Sequence, residues 1–266
     1  MWYYVLDIFR SFAPVKKERR VALGKIIIVT SGKGGVGKTT VSIGLAAALC
    51  NASKRVLLVD ADEGLRCLDT MLGADKKVML DLSDAQADPE NAAENAVDVD
   101  GVEGLSVIAA PMNFGTIRSD SFGEAVVSAA RDRDFVIVDC PAGVDERYYV
   151  GMPKDSLVLV VTNSDAAAVS GAAKARAMVK RLGFSEVRLV VNKFSRKSVG
   201  KLHDNIDAIV DKTEIGLIGV IPFDNEITVA AAAGRPAVNG RAAMAFARTA
   251  ARLCGARVLL PPVKEI

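Results

Sequence analysis

The chain is 266 residues long, half apolar and a quarter charged, with a formal net charge of +2. This is the composition of a soluble globular protein with a substantial core, as one large domain or two small ones. Cys50, Cys67, Cys140 and Cys254 contain no C-x-x-C pair, so their spacing encodes no zinc or iron–sulfur site.

Residues 1–20 carry Arg10, Lys16, Lys17, Arg19 and Arg20 against Asp7 and Glu18, a net +3 that leaves the rest of the chain at −1. Trp2, Val5, Leu6, Phe9 and Ala13 recur at helical spacing before Pro14, with Phe12 alongside. The segment is too short to span a bilayer and suits an interfacial helix with a basic flank. Contact with an anionic membrane through residues 1–20 is one expectation. Packing of this helix on the domain and a misassigned start are the others. The N-terminus lacks the basic start, clean apolar run and cleavage site of a secretory leader. The expected location is cytoplasmic, with peripheral attachment to the inner face of the cell membrane if the membrane reading holds.

From residue 24 onward, β-branched apolar runs alternate with helical patterns. Strands are expected at Lys25–Thr30, Arg55–Val59, Leu105–Ala109, Phe135–Val138, Leu157–Thr162, Val187–Asn192 and Ile215–Ile221. Helices are expected at Lys38–Ala52, Ser119–Arg131, Ala166–Leu182, Val199–Val210, Asn225–Ala233 and Gly240–Cys254. The strands are near-continuously apolar, as strands covered on both faces are. Their alternation with helices predicts an α/β fold with a mostly parallel twisted sheet and helices on both faces. Residues 83–101 are acidic, alanine-rich and weakly patterned, and read as variable loop and short helix. One domain spans residues 22–258, between an N-terminal extension (1–21) and a short tail (259–266).

The first strand runs into Ser31-Gly-Lys-Gly-Gly-Val-Gly-Lys-Thr-Thr40, and Gly32-x4-Gly37-Lys38-Thr39 fits the Walker A pattern in its strand–loop–helix context. Gly34, Gly35 and Gly37 let the backbone turn its N–H groups toward phosphates and approach them closely. The helix that follows presents unpaired N–H groups and its positive dipole end. Lys38 supplies a mobile charge for the terminal phosphates, and the Thr39 hydroxyl a hard oxygen for Mg²⁺. Gly34, Gly35, Val36, Gly37, Lys38, Thr39 and Thr40 are the candidate phosphate cradle, with ATP and Mg²⁺ the expected cofactors.

With Lys33, the loop reads Lys-Gly-Gly-Val-Gly-Lys-Thr and resembles the deviant Walker A of the MinD/ParA group of ATPases. The resemblance covers about residues 24–240. It implies a single P-loop domain that hydrolyses ATP to ADP and phosphate, slowly without an activator protein. It also implies an ATP-dependent homodimer in which Lys33 reaches the partner's phosphates, and a role in spatial regulation of cell division or septum placement.

Two apolar strands end in acids, at Asp60-Ala-Asp62 and at Asp139-Cys-Pro-Ala-Gly143. Ligands of open α/β sheets gather at such carboxyl ends, where a carboxylate can hold Mg²⁺ or a water. Asp60-Ala-Asp62-Glu-Gly-Leu-Arg-Cys-Leu-Asp69 resembles the switch I pattern of the MinD branch, and Asp139–Gly143 its switch II. By that resemblance Asp62 orients the attacking water, while Asp60 and Asp139 hold the metal's water shell. Cys67 replaces the usual asparagine, and Glu63 stands where an aliphatic residue is common. Both departures put hydrolysis in question and leave a non-hydrolysing, nucleotide-bound scaffold as an alternative.

Asn192 ends a strand with an amide that can donate to and accept from adenine's edge, or simply cap the strand end. Pro222 and Asp224, followed by Ala232–Pro236, are similar to the family's adenine-closing loop. The guanine-type Asn-Lys-x-Asp is incomplete, since position 195 is serine. Finally, Ile227–Val263 contains Arg235, Arg241, Arg248, Arg252 and Arg257 but no acid. Arg241, Arg248 and Arg252 share one helical face, which reads as a solvated surface or as a nonspecific DNA contact of the ParA partition type. A flagellar-placement ATPase is a further alternative within the fold. Pro261-Pro262 excludes a C-terminal amphipathic helix of the MinD kind at that point.

Overall fold

The computed structural model describes residues 23–195 and 205–261. The expectations for residues 1–21, for 199–204 and for the end of the tail lie outside the described residues. The strands are β1 (Lys25–Thr30), β2 (Val56–Asp60), β3 (Val97–Asp98), β4 (Leu105–Ile108), β5 (Phe135–Asp139), β6 (Leu157–Thr162), β7 (Val187–Phe194) and β8 (Leu217–Pro222). They form one sheet in the order β3-β4-β2-β5-β1-β6-β7-β8. Every pairing in it is parallel except β3 with β4 at the edge.

The sheet alternates faces along each strand. Ile26, Ile28, Leu57 and Val59 point to one side. There they meet α3 (Leu82–Ala87), α4 (Phe122–Ala129), α5 (Ala166–Arg181) and α6 (Ile206–Thr213). Ile27, Val29 and Leu58 point to the other side, against α1 (Lys38–Asn51), α2 (Cys67–Met71) and α8 (Gly240–Leu253). Each fully buried Ile, Val or Leu contributes about 1.5–3 kcal/mol. Two-sided burial is therefore what makes the strand runs apolar at every position. The remaining helix, α7 (Asn225–Ala232), lies between β8 and α8.

Within 83–101 the structure is more regular than the composition suggests. Asp81 and Asp84 form a reciprocal capping box that starts α3, a 3₁₀ turn follows at Pro89–Asn95, and β3 then closes the sheet edge. The expected helix Ser119–Arg131 is shorter at both ends, Phe122–Ala129, and Asp132 at φ 60° turns the chain toward β5. Helix α6 begins at Ile206, where the Asn205 side chain accepts from Ala208 N at 2.7 Å.

Candidate nucleotide site

The central strand β1 delivers the chain to the carboxyl edge of the sheet, and the Ser31–Thr40 loop folds back there into α1. Gly35 and Gly37 take positive φ of 75° and 92°. Nothing lies within 4 Å of where a Cβ on Gly35 would sit, so that side of the loop is open to a ligand. A Cβ on Gly37 would instead meet the Asn192 amide at 2.4 Å. Helices α3, α5, α6 and α7 begin with a side chain capping the first turn. Helix α1 begins at Gly37 with no side-chain cap and no acid in its first turn. Its first N–H groups, at the end of the Ser31–Thr40 loop, have no side-chain acceptor and suit an anion.

Lys38, Thr39 and Thr40 form the first turn of α1, and Lys38 is buried at 7 % exposure. The Thr39 hydroxyl donates to Asp139 Oδ2 at 2.6 Å, and Ser42, one turn on, donates to Oδ1 at 3.0 Å. Asp139 ends β5 in direct register with Asp60 at the end of β2. Burial pushes Asp139 up to about 6 against the opposing pull of Thr39, Lys38 and Ser42. Burial first, and then the charge of Asp139, push Asp60 up to about 7. Asp60 also brackets the next loop, accepting from Asp62 N at 3.0 Å through Oδ1 and from Leu68 N at 3.1 Å through Oδ2. Asp62 is half-buried. Its carboxyl is raised by burial and drawn down by Lys38, which places the two side chains in each other's field.

These residues fit a hydrated Mg²⁺. A threonine hydroxyl and a buried carboxylate are already in contact at the uncapped helix end, and two raised carboxylates are groups that a cation would relieve. No three His, Cys, Asp or Glu side chains gather to cage a metal among the described residues.

Lys33 lies at the loop's outer lip. Its ammonium contacts Asp165 Oδ1 at 2.7 Å, in a pair about half exposed on both sides. Asp165 is the N-cap of α5 and also accepts from Ala167 N and Ala168 N. Asn192 is buried, and its amide nitrogen donates to Val36 O at 2.9 Å and Gly37 O at 3.3 Å. The donor half of that amide is thus engaged in holding the loop, and its oxygen is the half suited to a base. Asp224 caps two helices, accepting from Glu226 N at 3.1 Å and from Ala242 N at 3.0 Å. Its carboxylate has a structural task where the sequence suggested a base contact, while Pro222 closes β8 beside it. The Arg235–Pro236 segment lies beside the first turns of α1. With Thr40, Ile43, Met71 and Ile227 it lines an open surface groove.

Sequence reasoning missed Ser42, Asp165, Lys193 and the placement of Glu63. Ser42 was within reach, because it follows Thr39 by one helical turn. Lys193, at φ 54°, donates to Gly35 O at 2.8 Å and braces the loop from behind. The arginine face on α8 is more structural than it read. Arg252 clamps Ile218 O, Val258 O and Leu259 O at 2.7–2.8 Å, fixing the tail to β8, and Arg248 turns back to Met244 O.

A parallel α/β sheet with an uncapped, lysine-bearing P-loop at its carboxyl edge defines a phosphate-binding nucleotide protein of the P-loop class. Residues 27–237 match the CobQ/CobB/MinD/ParA nucleotide binding domain family, and the chain belongs to it. It is 32 % identical over 252 residues to the septum site-determining protein MinD of Bacillus subtilis, covering 91 % of this chain and 94 % of that one. A chain of the Aquifex aeolicus MinC:MinD cell division protein complex superposes with a TM-score of 0.81 at 27 % identity, covering 90 % of this chain and 99 % of that one. Pyrococcus horikoshii MinD complexed with Mg-ADP does so with a TM-score of 0.76 at 27 % identity, covering 88 % and 100 %. The chain is a MinD-like ATPase.

Proposed function

We propose that this MinD-like ATPase is a switch of septum-site determination that pairs with a second copy on MgATP and separates after slow hydrolysis. The observation that carries the reading is the convergence of Thr39, Asp139 and Lys38 at an α1 N-terminus that no side chain caps. Backbone N–H groups of residues 34–39 take the phosphates, and buried Lys38 neutralises their terminal charge without competition from water. Thr39, Asp60 and Asp139 would hold the hydrated Mg²⁺, the hydroxyl as a hard oxygen and the two carboxylates as acceptors. When bound there, Mg²⁺ would supply charge neutralisation for phosphoryl transfer. Asp62, beside Lys38, orients the attacking water.

Lys33 acts in trans in this reading, leaving Asp165 for the partner's phosphates. A partner protein that recognises the paired state belongs to the proposal, as MinC accompanies MinD in the Aquifex complex. The scaffold alternative rested on Cys67 and Glu63. Glu63 directs its carboxylate to the backbone of residues 115 and 117 rather than to the phosphate loop, which favours the hydrolysing switch.

Size-exclusion chromatography of Asp62→Ala with ATP and with ADP tests this. The expected result is a stable dimer in ATP and a monomer in ADP, with turnover reduced at least about 100-fold. A monomer under both conditions, or nucleotide affinity unaffected by Lys38→Ala, overturns it.

A further inference from the structure

Glu63 follows the proposed water-orienting residue directly, and its side chain runs the other way. It is buried at 5 % exposure, and its carboxylate accepts from Gly115 N through Oε2 and from Ile117 N at 2.7 Å through Oε1. Both donors belong to the loop between β4 and α4, more than 50 residues further along the chain. The same two segments meet again through the backbone, where Gly64 N donates to Pro111 O at 2.9 Å. They also meet through a ring, because the Phe114 side chain lies where a Cβ on Gly64 would stand. On its far side the 113–118 loop is fastened by buried Gln86, whose Oε1 accepts from Arg118 N at 2.7 Å.

Asp62 therefore sits between two carboxylate anchors. Asp60 fixes its backbone from the sheet side, and Glu63 fixes the next residue to the outer loop. The second anchor is a fork. A charged carboxylate accepting two backbone N–H groups holds both position and orientation, which one aliphatic contact does not. With an aliphatic side chain at 63, the Ile117 N–H would stay buried with no acceptor in its place.

We propose that Glu63 is a positioning residue for hydrolysis. Its carboxylate joins the 61–66 loop to the 113–117 loop as one unit, so Asp62 holds its working position only while the outer loop is seated. The proposal rests on the reading of Asp62 as the residue that orients water. It gives the outer loop, with Phe114 78 % exposed at its tip, control over turnover without contact to the nucleotide.

The test uses Glu63→Gln and Glu63→Leu in the full chain, with Asp62→Ala as reference. Glutamine keeps the shape but one acceptor oxygen, so one fork bond is lost; leucine loses both. The expected result is a graded fall in kcat, about 3- to 10-fold for glutamine and more for leucine. ATP KM and MgADP affinity should stay within about twofold, the split that separates positioning from binding. Amide hydrogen exchange at Gly115 and Ile117 should quicken in the same order. Unchanged kcat in Glu63→Gln overturns the proposal, as does a nucleotide-affinity loss matching the kcat loss. Full turnover by Asp62→Ala would instead remove the reading beneath it, and the two failures are distinguishable.

Discussion

Asp60 and Asp139 face each other across adjacent strands, both 1 % exposed and both raised, to about 7 and about 6. Unfolded aspartates titrate near about 3.9, so the nucleotide-free fold holds protons that the unfolded chain has released. Ionising the pair inside the fold is unfavourable at pH 8, and that penalty shrinks as pH falls through 7 and 6. Stability of the nucleotide-free protein should thus gain from these two groups on mild acidification. Mg²⁺ acts in the opposite sense, since it favours the charged carboxylates and must displace a proton to bind below neutrality. One proton displaced per ion weakens Mg²⁺-dependent nucleotide affinity by up to about tenfold per pH unit. Titrating a fluorescent ADP analogue with Mg²⁺ between pH 8 and 5.5 checks this. A flat profile would show that neither carboxylate is protonated before Mg²⁺ arrives.

At the scale of elements, the P-loop is held by what surrounds it, and a glycine in α5 is the tightest of those contacts. Gly171 lies mid-helix, where it costs about 1 kcal/mol against alanine. A Cβ on it would meet Gly32 backbone atoms at 2.8–3.0 Å, and a Cβ on Gly32 would meet Gly171 O at 2.1 Å. Helix and loop touch backbone to backbone there. Gly171→Ala should therefore keep α5 intact, with its gain in helix propensity, while pushing the phosphate loop outward. The expected outcome is a melting temperature within a few degrees of wild type and MgADP affinity reduced at least about tenfold. Isothermal titration reads the second quantity, and affinity within twofold would show that the loop absorbs the shift. This contact also marks where sequence reading stops. Strands β1, β5 and β6 were legible because a strand buried on both faces must be apolar throughout, and Gly32–Thr40 was legible because its spacing is dictated by phosphate. The pairing of Gly32 with Gly171, of Lys33 with Asp165 across 132 residues, and of Glu63 with Ile117 across 54 is not. Those contacts depend on which helix the sheet order sets beside which strand, and no local pattern records that. Asp224, placed in the sequence by resemblance to an adenine-closing loop, also caps two helices, a task its local sequence does not reveal.

For the molecule as a whole, the exposed side of the P-loop and the parked lysine decide how two copies would meet. Lys33 is engaged within its own chain, in a salt bridge with both partners more than two-fifths exposed. Such an exposed pair is screened by solvent and weak, and a triphosphate offers Lys33 more negative charge. In the proposed dimer two of these bridges would break, so the bridge would set a threshold on pairing rather than a block. Asp165→Asn separates this effect from folding. An asparagine retains the N-cap of α5 but not the charge that detains Lys33. Removing both bridges should tighten ATP-dependent dimerisation by at least about twofold, with the ADP form still monomeric. Sedimentation equilibrium across protein concentration measures it directly. Weaker pairing by Asp165→Asn would mean that Asp165 serves the dimer itself and that Lys33 does its work without leaving it.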